Sequence, residues 1–231
     1  MNYIIEKRLM TGLPNYVLTA IKYVIAHESG NPNNCGPNAL ENEIAYMNRN
    51  KANAFTSHWV GGGGKIIQVA PVCKVQYGCG PKGNPLSYAQ VELARTNDKE
   101  RFKKDYAAYV WLLRELAKEA SIPVVLDGTG NGIKSHRWIT DNLKGTTHRD
   151  PYSYLASMGI TEEQFKLDIK NGLEELKEAQ EAKVMFNDAK TIPAVIIDGR
   201  THVQVRDLAE LLGLKLVFNN ESKITKLYEV K

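Results

Sequence analysis

Cysteine is scarce in this chain: three in 231 residues, Cys35, Cys73 and Cys79. The count is odd and no Cys-x-x-Cys pair occurs, which argues against a disulfide framework or a thiolate zinc site and leaves free thiols as the expectation. No apolar run approaches the roughly 20 residues that a membrane-spanning helix needs. The opening stretch, Met1 to Met10, lacks the apolar core of a signal peptide. The chain is therefore expected to be made in the cytoplasm and to need another route if it acts outside. A strong charge of one sign is also missing. The formal net charge of +4 is compatible with an anionic polymer but reads more simply as a solvated basic surface, and no nucleic-acid partner is expected. There is no internal repeat and no low-complexity tract. The run Gly61 to Gly64 invites a phosphate-cradle reading, but no Gly-Lys-Ser/Thr follows and Lys65-Ile66 opens a strand.

What is present is ordinary for a globular protein: 43% hydrophobic and 24% charged residues. The length suits one large domain and a small one. Residues 1–20 read as a lead-in. Ile21 to Ala26 is apolar and rich in β-branched residues, a buried strand that ends at His27. Asn38 with Glu41 forms a capping-box signature for a helix carrying Leu40, Ile44 and Met47. Ala54 to Val60 and Lys65 to Val69 read as a hairpin across the glycines. Tyr88 to Ala94 is a strand whose alternation sets Val91 and Leu93 opposite Gln90 and Glu92. Asp98 to Ala120 is an amphipathic helix with Phe102, Tyr106, Tyr109, Val110, Leu113 and Leu116 on one face. A short strand is expected over Ile122 to Leu126, and a second long helix over Thr161 to Lys183.

The expected fold class is α/β, a central mixed β-sheet flanked by helices, with a small α+β domain at the C-terminus. The boundaries are 1–183 for the large domain, 184–190 for a linker and 191–231 for the small unit. In that unit, strands are expected at Pro193–Ile197, Thr201–Val205, Lys215–Phe218 and Lys223–Val230. A helix is expected over Arg206–Leu212, with turns at Asp198-Gly199 and Asn219-Asn220.

The chemistry gathers in Ser135 to Pro151, which holds His136, His148 and Asp150 in one loop-rich segment, with His27 far upstream. Imidazole nitrogen plus carboxylate oxygen is the ligand set of a catalytic zinc that keeps one position open for water. The residue types alone leave two readings open, a metal site or ordinary loop polarity. Glu92 stands in a strand otherwise short of charge, either facing solvent or lining a site. His202 alternates with apolar neighbours and reads as structural.

The order of these stretches resembles the zinc-dependent N-acetylmuramoyl-L-alanine amidases shared by phage endolysins, autolysins and peptidoglycan recognition proteins. Tyr23 to Asn31 resembles the family's first-ligand strand. Ser57-His58-Trp59-Val60 and Lys65 to Pro71 resemble its central hairpin, and Gln90-Val91-Glu92-Leu93 its glutamate strand. Ser135-His136 and Thr147-His148-Arg149-Asp150-Pro151 resemble its last ligand positions, and Tyr152 to Ile160 resembles the continuation in lysins of phages of Gram-positive hosts. The match covers roughly residues 10–170.

The resemblance implies Zn2+ held by His27, His136 and Asp150, with Glu92 as general base and His148 as the oxyanion-stabilising cation. His58 matches a family histidine that is not a ligand. Where many members carry a Trp-His pair, this chain has Tyr77-Gly78, which bears on substrate contacts. Tyr77, Asn31 and Trp138 are the candidate substrate-binding residues. The implied substrate is bacterial peptidoglycan and the implied role a phage or prophage endolysin, held in the host cytoplasm until release. The alternatives are a non-catalytic peptidoglycan-recognition protein and a zinc amidohydrolase of small soluble substrates. Val195 to Arg200, Val203 to Leu208 and Leu211 to Leu214 resemble a half-length copy of the small domain called copper-amine-oxidase N-terminal-like. That implies a wall-binding module or a surface for pairing two copies.

Overall fold

A computed structural model of the chain describes residues 3–173, 180–186, 190–197, 200–219 and 224–229. The chain divides into two compact units, Met1–Leu173 and Glu174–Lys231. The first holds β1 (Ile5–Lys7), β2 (Tyr23–Glu28), α1 (Ala39–Asn50), β3 (His58–Gly61) and β4 (Lys65–Gln68). A single turn α2 (Gly80–Gly83) and a 3-10 turn (Asn84–Leu86) lead into β5 (Ser87–Leu93). There follow α3 (Lys99–Glu119), β6 (Gly132–Ser135), α4 (His136–Asn142), α5 (Tyr152–Ser157) and α6 (Glu162–Asn171).

The six strands form one mixed sheet in the order β1-β4-β3-β5-β2-β6. The β3–β4 hairpin is antiparallel and the other neighbours run parallel. The expected α/β class and helix-flanked central sheet are therefore what the chain adopts.

Alternation along each strand divides the sheet into a core face and a working face. Val24, Ala26, Val91 and Leu93 are fully buried in one cluster with Phe102, Tyr109, Leu113 and Leu116 of α3. The spacing of those α3 residues puts them on one stripe, and Asp98 caps the helix by accepting from the backbone N–H groups of Glu100 and Arg101 at 2.9 and 3.0 Å. Truncating Leu113 there costs about 2–5 kcal/mol, because the sealed layer cannot collapse into the space. The odd-numbered residues of β2 face the other way. Tyr23 and Ile25 pack with Cys79 and Ile139, and His27 continues that row. Cys79 is fully buried, and burial pushes its thiol up to about 12. All three cysteines are free thiols.

Several local expectations give way to tertiary contacts. The lead-in contains β1, which pairs with β4 through Ile5↔Ile66. Asn38 precedes α1 at φ −97°, ψ 9° without a side-chain cap, and the Glu41 carboxylate, instead of reaching back to it, is held by Arg8 through two bonds of 2.8 and 2.9 Å. Ile122 to Leu126 makes only a bridge, Leu126 to Ile133, and the sixth strand is Gly132–Ser135. Pro123 lacks the N–H that a continuous ladder would use. The helix expected to reach Lys183 ends at Asn171, where Gly172 turns to φ +82°.

The second unit holds β7 (Gln180–Phe186), β8 (Lys190–Ile197), β9 (Arg200–Val203), α7 (Val205–Leu211), β10 (Leu214–Asn219) and β11 (Ile224–Glu229). β7-β8-β9 is an antiparallel sheet and β10–β11 an antiparallel ribbon. β7 lies on residues read as helix and linker. Its pairing with β8, Val184↔Ile192 among the partners, supplies the ladder that a lone segment lacks. Of the 184–190 linker, residues 187–189 lie outside the described residues, as do Leu176 and the turns at Asp198-Gly199 and Asn220. Among the described residues no helix is long and apolar enough to cross a membrane.

Candidate metal centre and active site

The working face ends in a cleft of ≈ 770 Å³ beyond the carboxyl ends of β2, β5 and β6, where parallel sheets commonly bind ligands. His27 and Glu92 are register partners on adjacent parallel strands, so both side chains leave the same face. β6 runs beside β2 with Ser135 opposite Ala26, which delivers His136 next to His27. Ser135 caps α4 by accepting from Trp138 N–H at 2.9 Å and sets the exit direction of His136. Asp150 reaches the same point from the loop before α5, and its carbonyl accepts from Arg137 N–H at 3.1 Å.

His27, His136 and Asp150 offer ligand atoms that all lie within 4.8 Å of one another. His27 Nδ1 is 3.1 Å from Asp150 Oδ2, and His136 Nδ1 is 3.1 Å from Asp150 Oδ1. The outer ring nitrogens are held as well. His27 Nε2 lies 3.2 Å from Gln90 Oε1, and His136 Nε2 lies 3.0 Å from Thr146 Oγ1. The Gln90 amide is oriented by its own nitrogen, which donates to Gln76 O and to Asn84 Oδ1. Asn84 Oδ1 in turn accepts from Cys79 N–H, so the whole chain of amides has one sense. A His27 that donates from Nε2 to Gln90 turns its Nδ1 lone pair toward Asp150, where a metal ligand would offer it. Nδ1 can donate to Asp150 when no cation is present and offers its lone pair when one is. This donor set fits a zinc ion, with each imidazole anchored through its outer nitrogen as metal ligands usually are.

Charge in the cleft follows from burial. Burial alone would raise the Asp150 carboxyl, but the hydrogen bonds and charge of His136 and His27 outweigh it and hold it well below its ordinary value. Burial lowers the His136 imidazole, against the pull of Asp150. The Glu92 carboxyl is raised well above the ordinary range, first by burial and then by the negative neighbours Asp150, Glu28 and Glu43. Its Oε2 is buried without a hydrogen-bond partner, so it stands ready for a proton. Glu28 itself is paired with Arg95 through bonds of 2.6 and 2.7 Å.

His148 sits at the rim, with a side chain 71% exposed. It stacks on His136 at 8° with centroids 4.9 Å apart, and its Nδ1 is 4.0 Å from Asp150 Oδ1. Tyr77 lines the cleft and packs on Phe55 at 5.1 Å. Asn31 lies outside that cleft, in an adjoining pocket, where its amide donates to Glu43 at 3.0 Å. Trp138 turns away from it. Its ring packs on Tyr23 at 5.6 Å and lies under the buried Lys134 ammonium at 4.5 Å. His58 is buried in β3, where Nδ1 meets Ser57 Oγ at 3.0 Å and burial pushes its pKa down to about 4.

Gln90, Thr146 and Arg95 were missed in the sequence. Gln90 had a signal, since it shares the face of Glu92 two residues on; Thr146 had none. Gly78 belongs with Gln90: a Cβ there would lie 2.3 Å from Gln90 Oε1. The glycine of the divergent Tyr77-Gly78 pair thus leaves room for the amide that holds His27.

A family model described as N-acetylmuramoyl-L-alanine amidase matches residues 18–153, over half of the chain. The chain belongs to this amidase family. An endolysin of Listeria phage A511 is 48% identical over 173 residues, covering 73% of this chain and 50% of that protein. A lytic amidase of Streptococcus pneumoniae phage HB-3 is 43% identical over 173 residues, covering 73% of this chain and 53% of that protein. The chain thus spans about half the length of these two relatives. Among solved structures, the hydrolase AmiA of Staphylococcus aureus in complex with its ligand aligns with a TM-score of 0.66 and 24% identity, over 74% of this chain and 83% of that one. That last likeness concerns the amidase fold alone.

Proposed function

We propose that this chain is a zinc-dependent amidase that cuts the bond between the lactyl group of N-acetylmuramic acid and L-alanine in bacterial peptidoglycan. The observation that carries the reading is the convergence of His27, His136 and Asp150 in a cleft that Glu92 also lines. Membership of the amidase family, and similarity to a phage endolysin and a phage lytic amidase, support the same bond and a role in host lysis.

The scissile amide is unactivated, so the site must polarise it, deliver water and protonate the departing amine. Zinc held by His27, His136 and Asp150 would supply a Lewis acid for the carbonyl oxygen and would make water acidic near neutral pH. Glu92 accepts the proton of the attacking water and passes it to the leaving nitrogen. A raised carboxyl suits both halves of that task, being basic enough to take the proton and acidic enough to return it. His148 donates an N–H to the carbonyl oxygen as negative charge gathers there. Tyr77 bears on the substrate from the cleft wall. Asn31 is reached by a substrate that extends past Ser29 and Gly30 into the adjoining pocket. Trp138 serves the packing behind His136. The small C-terminal unit anchors the enzyme to the wall or pairs two copies; its ribbon exposes Phe218 and Tyr228.

The deciding experiment is mass spectrometry of Gram-positive peptidoglycan digested by zinc-loaded protein, with a chelator control. The expected products are stem peptides with free L-alanine amino termini and intact glycan strands, lost on chelation. Binding to the wall without new termini refutes the enzymatic reading and favours recognition without cleavage.

A further inference from the structure

Metal geometry in this site depends on two segments of different origin. His136 leaves the end of β6, whereas Asp150 arrives from a loop whose preceding residues, Lys144 to Arg149, are largely exposed. On the surface that loop is tied back by Arg149 to Asp141, an exposed ion pair, which contributes little in water. Something better shielded must hold the two ligands in register.

We propose that Asp127 is a positioning residue that locks the His136 and Asp150 segments together from behind the cleft. The proposal rests on the metal-centre reading above. Asp127 adopts φ +52°, a conformation that Asp tolerates better than most residues, and its N–H donates to Ile133 O at 2.9 Å. Its carboxylate is thereby turned onto both ligand segments. Oδ1 accepts from Ser135 N–H at 2.7 Å, and Oδ2 accepts from Ser135 Oγ at 2.7 Å and from Tyr152 Oη at 2.5 Å.

Ser135 directly precedes His136, and Tyr152 lies two residues beyond Asp150. One carboxylate therefore spans the two ligand segments with three donors. A second tie reinforces it: the Arg137 guanidinium lies 4.0 Å over the Tyr152 ring, while Arg137 N–H holds the Asp150 carbonyl. Asp127 is not among the residues lining the cleft, so it acts only through its neighbours. Such outer contacts commonly govern metal affinity because ligand placement must be good to about 0.5 Å.

The test measures zinc affinity by competition with a chromophoric chelator, alongside thermal unfolding of the metal-free protein, in wild type, D127A, D127N and Y152F. D127A is expected to weaken zinc binding about 10–100-fold. D127N should recover much of this, because its amide oxygen still accepts from Ser135 N–H and its NH2 can donate to both hydroxyl oxygens. Y152F removes one of the three donors and should fall between wild type and D127A. A purely structural role would lower the unfolding temperature and leave zinc affinity untouched. Unchanged zinc affinity in both D127A and Y152F overturns the proposal, and Y152F alone decides if D127A does not fold. Wild-type protein that binds no zinc overturns the metal-centre reading first, and this one with it.

Discussion

Replacing Gln90 by Leu tests how the first ligand is held. The side chain is fully buried, and its oxygen is the partner of His27 Nε2 at 3.2 Å. Leu has nearly the same volume and no acceptor. In the metal-free protein the damage is repairable: His27, 2% exposed, moves its proton to Nδ1 and donates to Asp150 at 3.1 Å. With zinc bound that escape is closed, since Nδ1 is occupied and the proton must stay on Nε2 without a partner. An orphaned buried donor costs about 1–3 kcal/mol. Because the cost falls on the bound state alone, it becomes a loss of roughly 5–150-fold in zinc affinity at about 1.4 kcal/mol per tenfold. Q90E keeps an acceptor for Nε2 but sets its second oxygen against Gln76 O and Asn84 Oδ1, so it should destabilise the fold while binding zinc more tightly than Q90L. Gly78→Ala should weaken zinc binding with residue 90 unchanged, since the new Cβ would sit 2.3 Å from the Gln90 Oε1 and displace it. The assay is chelator competition at neutral pH. Zinc affinity within about twofold of wild type in both Q90L and G78A would refute the tautomer argument.

Glu92→Gln removes the proton acceptor and none of the three ligands. It should lower kcat by about 10²–10⁴ while zinc affinity changes by less than about tenfold, and parallel loss of both in kinetics and chelator competition would sink that division of roles. Zinc at about a hundred times its Kd should stabilise the first unit by about 2.7 kcal/mol, or roughly 5–10 °C in unfolding temperature, read by calorimetry with and without chelator. Asp105 is buried under the glycine turn, where Oδ1 accepts from Gly63 and Gly64 N–H at 2.7 and 2.6 Å. Burial, partly opposed by those bonds, pushes its carboxyl up to about 6. A raised pKa means that stability is fully present below the ordinary carboxylate range and is lost as pH rises through about 6. Denaturant unfolding from about pH 4 to about pH 8 should therefore cost wild type about 3 kcal/mol relative to D105N. A pH-independent difference between the two proteins would show that Asp105 does not titrate in that range.

Much of the site was legible in the sequence because the chemistry is carried by rare residue types at strand ends. His27 sits near the end of an apolar strand, Glu92 sits on the polar side of an alternating one, and His136 and Asp150 bracket a stretch that read as loop and that the structure divides into α4 and a loop. Period-two alternation is local, so the working face of β5 could be read without a structure. The long apolar stripe of α3 was equally plain, since helical spacing repeats along the chain. Other features depended on partners distant in sequence. β1 forms a strand because β4 offers it an open edge. Glu41 pairs with Arg8, which lies far away in sequence, instead of reaching back to Asn38. β7 forms where helical composition runs on, because β8 supplies hydrogen bonds that a solvated segment would have to find in water.

The same division runs through the site. Residue types determined which groups could bind a metal. Only the packing of β2, β5 and β6 decided that two imidazoles and a carboxylate meet, that Asn31 and Trp138 lie off the cleft, and that Gln90 and Asp127 hold what the cleft presents. Orientation and proton placement are properties of three-dimensional neighbours, and no pattern along the chain encodes them one residue at a time.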